Sequence, residues 1–165
     1  MDRRDCGFTL IELLVGMAIV AVLAAVAVPT YLGFVQKARE TALMAYLREV
    51  HKGQMEWRLE SGSEAFTGDF DELEQTGYIP NAQSFVRIRL RPARSGPTLS
   101  ASIRDFQRFR LTLLARGDPS SNSYTYWLYA YPADLNPRVR WFYLDQTGVL
   151  RAEKGWAGET APPVW

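Results

Sequence analysis

Cys6-Gly7-Phe8-Thr9-Leu10-Ile11-Glu12 opens an apolar run that continues to Pro29, and the reading of this stretch decides the architecture. Between Phe8 and Val28 the one ionisable side chain is Glu12. Those 21 residues match the roughly 20 that an α-helix needs to cross a bilayer. A carboxylate within such a segment is unfavourable by about 2.5–3.5 kcal/mol or more at the bilayer centre, so Glu12 is expected to have a function. A secretory signal peptide is the competing interpretation, with Ala24-Ala25-Val26-Ala27 as an imitation of its small-residue cleavage site. Against it stand the short polar stretch Met1–Gly7 and an apolar run that keeps its full length. Arg3 and Arg4 favour an N-terminus on the inside, offset by Asp2 and Asp5 beside them. Cys6 is not a lipoprotein cysteine, because the apolar run follows it instead of preceding it.

Beyond Pro29 the pattern becomes one-sided. Val35, Ala38, Ala42, Leu43, Tyr46, Leu47, Val50, Gln54 and Trp57 recur at helical spacing. Lys37, Arg39, Glu40, Arg48, Glu49, Lys52 and Glu56 supply the opposite face. Ser61-Gly62-Ser63 supplies a stop. The pattern predicts one long helix from about Phe8 to about Leu59, bent at Pro29, where a backbone donor is missing.

A soluble α+β domain follows. Thr67–Asn81 reads as a connection with a short helix at Phe70–Thr76. Strands are expected at Val86–Leu90, Phe106–Ala115 and Tyr124–Tyr131, the last central because it is large on both faces. Arg138–Leu144, the turn Asp145-Gln146-Thr147-Gly148 and Val149–Ala152 read as a closing hairpin. Pro92–Ser102 breaks the alternation, and the chain after Lys154 reads as a tail without regular structure. Four or five antiparallel strands are thus expected to pack on the one-sided part of the helix.

Charge is uneven although the net is +1. Glu56–Glu74 holds seven acids and one arginine, whereas Ser84–Arg116 holds eight arginines and one acid. The plain interpretation is the solvated face of a sheet. A sharper one is a contact between subunits, with Asp69, Asp71, Glu72 and Glu74 meeting Arg87, Arg89 and Arg91 of a neighbour. A third is a DNA- or surface-binding patch. The single histidine, His51, reads as a solvated helix residue. No phosphate-binding loop, catalytic constellation or regular metal-ligand spacing is present, so neither an enzyme nor a cofactor or metal is expected. Asp134, Asp145 and Glu153 lack the ligand spacing of a calcium loop. The helix aromatics Phe8, Tyr31, Phe34, Tyr46 and Trp57 read as packing residues rather than an electron path.

The short polar leader, Gly7-Phe8, Glu12 and the apolar helix resemble the class III signal of type IV prepilins and of type II secretion pseudopilins. The close likeness covers Gly7–Tyr31. It implies a pilin fold: residues 1–7 a leader removed by prepilin peptidase, 8–29 a transmembrane and filament-core helix, and 30–165 the amphipathic helix with a globular head. It implies cleavage between Gly7 and Phe8, N-methylation of Phe8, and a register role for Glu12 against the Phe8 amine of a neighbouring subunit. Expected partners are further copies in a helical filament, the inner-membrane assembly platform and minor pilins. The precursor is expected to cross the inner membrane once, N-terminus cytoplasmic and head periplasmic, before joining a surface pilus for attachment, twitching motility or DNA uptake. A pseudopilin, an anchored binding domain that never polymerises and a tethered enzyme are the rival expectations. Many relatives place a glycine in mid-helix where this chain has Ile19-Val20-Ala21-Val22, and many close their C-terminal region with a disulfide. Here the one cysteine, Cys6, lies in the leader.

Overall fold

The computed structural model describes residues 8–62, 65–80, 88–90, 98–118 and 123–164. It divides into two units, Met1–Ala38 and Arg39–Trp165, the second being the head. Helix α1 runs Leu10–Glu60 with Pro29 inside it. Proline leaves one carbonyl without its usual donor, and in the next residue the Thr30 hydroxyl donates to the Val26 carbonyl at 3.0 Å. The helix stops where Ser61 N–H donates to the Trp57 carbonyl and Gly62 turns left-handed at φ +62°. In the first unit the large apolar side chains of α1 are exposed, from Leu10 to Phe34. By length and composition this helix is able to cross a membrane.

Within the head, α1 buries the face that its periodicity marks. Leu43, Tyr46, Leu47 and Val50 join one core with Leu111, Leu113, Tyr126, Leu128, Phe142 and Leu144 from the sheet. The sheet is an antiparallel meander in the order β1-β2-β3-β4-β5-β6, one strand more than the four or five expected. Its strands are β1 (Ile88–Leu90), β2 (Thr98–Phe106), β3 (Phe109–Asp118), β4 (Ser123–Pro132), β5 (Arg140–Asp145) and β6 (Arg151–Lys154). Strand β4 lies between β3 and β5 as its two-sided bulk requires, and the Asp145–Gly148 turn closes β5 onto β6.

The additional strand is β2, in the segment where the alternation fails. Its core-facing side is polar, and those polar groups receive helix α2 (Phe70–Gln75). Gly68 N–H donates to Ser100 Oγ at 2.9 Å, and Phe70 N–H donates to Ser102 Oγ at 3.1 Å. These hydroxyls accept from N–H groups at and just before the start of a helix, where intrahelical partners are lacking. Gly68 has to be glycine, because a Cβ would stand 2.3 Å from the Ser100 carbonyl oxygen. On the α1 side, the buried Gln54 amide donates to the Thr67 carbonyl at 2.6 Å and accepts from Thr67 N–H at 3.1 Å.

Arg104 completes this junction and is 1% exposed. Its guanidinium pairs with Glu74 and with Asp71 at 3.3 Å, donates to Tyr46 Oη at 3.3 Å, and lies 5.0 Å from the Phe70 ring centre. One side chain therefore joins β2, α2 and α1. A second ion pair ties the sheet to the start of the head's helix: Arg140 donates from Nε and Nη2 to Glu40 Oε2 at 2.8 and 2.7 Å.

The tail has no helix or strand of its own, yet it is fixed in place. Pro163 bridges to Arg151, Ala152 N–H donates to the Pro162 carbonyl at 3.0 Å, and Val164 N–H donates to the Leu150 carbonyl at 2.7 Å. Ala157 and Ala161 are buried against Tyr143, and Trp156 lies within 6.0 Å of Tyr129 and 5.8 Å of Trp141.

Removing one partner of a buried ion pair leaves the others uncompensated and typically destabilises by about 3–5 kcal/mol. Arg104→Ala is expected to lower unfolding stability by that order in urea titration, whereas Arg116→Ala, at an exposed position of β3, should change it by less than about 0.5 kcal/mol.

Candidate functional site

The side chains that the sequence marks for assembly lie at the start of α1. Thr9 precedes the first helical residue, and its hydroxyl and N–H both donate to Glu12 Oε2, at 2.7 and 2.9 Å. Glu12 N–H donates back to Thr9 Oγ1 at 3.4 Å. This is a capping box, which Thr9-Leu10-Ile11-Glu12 encodes directly. The carboxylate is exposed, and among the described residues its Oε1 takes no donor. Phe8, Glu12, Gly16 and Val20 follow at steps of four, so they share one line along the helix. They line a shallow apolar groove with Met17, and no atom approaches within 4 Å of where a Gly16 Cβ would stand. The site is thus one charged oxygen and a notch, set in a surface that water does not favour. Exposed apolar surface of this extent calls for lipid or protein cover. Gly7 and the rest of the leader lie outside the described residues.

The acidic and basic groups expected to meet across subunits are placed as follows. Asp69 caps α2, accepting from Asp71 N–H at 3.0 Å. Asp71 and Glu74 face Arg104 of their own chain, and Glu72 accepts from the Thr67 hydroxyl at 2.5 Å. All four acids therefore have work inside the head. Arg87 and Arg91 lie outside the described residues, and Arg89 is described only as a β1 residue paired with Ser102. Among the described residues, no three His, Cys, Asp or Glu side chains gather as a metal site.

His51 corrects the sequence reading. It is half-buried instead of solvated, with Nδ1 against the Tyr126 hydroxyl. Its Nε2 occupies the space beside Gly148, where a Cβ would stand 2.7 Å away, and Gly148 itself has φ +76°. The histidine thus packs α1 onto β4 and onto the β5–β6 turn. Burial pushes its pKa down, opposed by the charge of Asp145. Burial also pushes the Tyr126 hydroxyl up, so that hydroxyl stays protonated.

Because the folded-state pKa of His51 is lowered, the unfolded chain takes up the proton first. The stability this contributes is complete above the ordinary value of about 6.5 and is lost as pH falls through that value towards the folded one. Thermal melts between pH 8 and 5 are expected to show a falling melting temperature, and His51→Gln should flatten that slope.

Comparison with known proteins bears on the N-terminal segment. The family described as the prokaryotic N-terminal methylation motif matches residues 2–28. The type IV wide pilus major component PilA4 of Thermus thermophilus is 44% identical over 61 residues, which cover 37% of this chain and 47% of that protein. The chain thus spans about half the length of the curated relative it matches. No solved structure matches it. The N-terminal part of the chain thus carries a methylation motif at the head of its apolar helix and is similar there to a type IV pilus component.

Proposed function

We propose that this chain is a structural subunit of a type IV pilus filament, held in the inner membrane by the apolar part of α1 until it is assembled. The observation that carries the proposal is Glu12, the one ionisable group between Phe8 and Val28, inside the matched methylation motif. Prepilin peptidase hydrolyses the Gly7–Phe8 bond on the cytoplasmic side, which creates an amine on Phe8, and that amine is then methylated. The methylated amine keeps its positive charge. In a bundle of these helices, the Phe8 amine of one subunit reaches the Glu12 carboxylate of another.

Energetics favour that pairing over the monomer in lipid. A lone carboxylate in a membrane-length segment is unfavourable by several kcal/mol, and the Thr9 bonds offset only part of this. A cation from a neighbour neutralises it and fixes the axial offset between subunits. Bending at Pro29 would let the head take its place on the filament surface while the apolar part enters the core. The contact between heads suggested by the uneven charge is the weaker part of the proposal, because Asp71 and Glu74 are engaged by Arg104. The assembly platform and minor pilins are the partners this reading requires.

Mass spectrometry of the mature protein is expected to show a chain that starts at Phe8 and carries one methyl group. A mature start near Val28 would mean an ordinary signal peptide and would overturn the proposal. Glu12→Ala should still be cleaved after Gly7 and should accumulate in the membrane, while sheared filaments fall by an order of magnitude or more. Filament numbers equal to the parent's would show that Glu12 sets no register.

A further inference from the structure

One end of the head carries a leucine that packing does not explain. The Glu40–Arg140 pair brings the start of β5 to the first turn of the head's part of α1, so the β4–β5 loop lies at the end where the helix enters. The β2–β3 hairpin lies at the same end, since Ala133 N–H donates to the Arg108 carbonyl at 2.9 Å. In that loop Leu135 has φ +53°, a left-handed conformation that branched and bulky L-residues avoid. Its side chain is 60% exposed.

The loop is not loose. Leu135 N–H donates to the Pro132 carbonyl at 2.9 Å, Asn136 N–H to Asp134 Oδ1 at 3.3 Å, and Arg138 N–H to Asn136 Oδ1 at 3.0 Å. Val139 N–H donates to the Asn136 carbonyl at 3.2 Å. Local bonds thus hold a leucine outward on an unfavourable backbone, and strain of this kind persists at contact sites. Arg108 and Arg138 flank it, both exposed, and neither meets a carboxylate among the described residues. Asp134 is the one acid in the loop, and its Oδ1 accepts from Asn136 N–H.

We infer that this loop is a lipid-contacting site, which rests the head on an anionic bilayer surface before assembly. Leu135 enters the boundary between headgroups and acyl chains, while Arg108 and Arg138 pair with phosphate groups. The inference rests on the membrane-anchored reading above. If Val28 ends the span, the eleven steps to Arg39 cover about 16 Å as α-helix and roughly 40 Å fully extended. The covalent link thus limits the separation of the head from the end of the span to roughly 40 Å.

The test uses the full-length chain with Cys6→Ser and Ala133→Cys, carrying an environment-sensitive fluorophore at position 133. It is reconstituted in nanodiscs of phosphatidylcholine alone or with added phosphatidylglycerol. With the anionic lipid, the emission should shift to the blue and be quenched by spin-labelled lipid, and high salt should reverse both effects. Leu135→Gly, which suits the left-handed backbone, and Arg108→Gln with Arg138→Gln should each abolish the shift at an unchanged or higher melting temperature. A label that stays in water in both disc types, on chains that remain with the discs, overturns the inference and leaves the anchor intact. Shielding that appears only in filaments, whatever the lipid, overturns it in favour of a second copy as the occupant. Chains that fail to stay with the discs overturn the anchor itself, and the inference with it.

Discussion

One helix has to satisfy two different surroundings. From Leu10 to Phe34 the large apolar residues of α1 are exposed, whereas from Leu43 onward a single face is buried under the sheet. No single solvent suits both parts. The first part needs lipid or other helices around it, and the second needs water on the side away from the sheet. Glu12 stands in the apolar part, and the capping box supplies two donors to one of its oxygens. A group that is tolerated but not fully satisfied is the kind that a second molecule can bind selectively. In the proposed assembly a single carboxylate would suffice, because it is the one ionisable group in the run from Phe8 to Val28.

Inside the head the corresponding constraint is polar. Short helix α2 and its leading loop present backbone donors to the interior, and buried donors must be met. Ser100 and Ser102 meet two of them from β2, Gln54 meets a third from α1, and Arg104 gathers the acids of α2. Directed bonds of this type specify one docking geometry, whereas an apolar patch would tolerate several. This suits a head that contains no cysteine, because orientation has to come from contacts that fail when shifted by an ångström.

What the sequence made legible follows from the same physics. The apolar run, the periodic face ending in Val50 and Gln54, central strand β4 and the Asp145–Gly148 turn obey patterns governed by solvent exposure, and all were readable. Strand β2 was not, because hydrophobic alternation is the signal for a strand and the inner side of β2 reads Ser100, Ser102, Arg104. His51 was misjudged for a related reason. Its helical neighbours Lys52 and Glu49 are polar, and only the fold brings Tyr126 and Gly148 to it. The tail hid its order because its bonds run to Leu150, Arg151 and Ala152 and form no pattern of their own. At the start of α1, Glu12 stood out in the sequence by its isolation, and its capping partner Thr9 is marked by the spacing of three.

The bridge between Pro163 and Arg151 has a consequence for crowding. A sheet edge is a row of unpaired backbone groups, open to any other strand that drifts past. Here the tail occupies part of the β6 edge and brings prolines to it, residues that cannot extend a ladder. Copies of such a head held side by side would meet one another at these edges. A covered margin removes one template on which neighbouring copies could fuse into an aggregate.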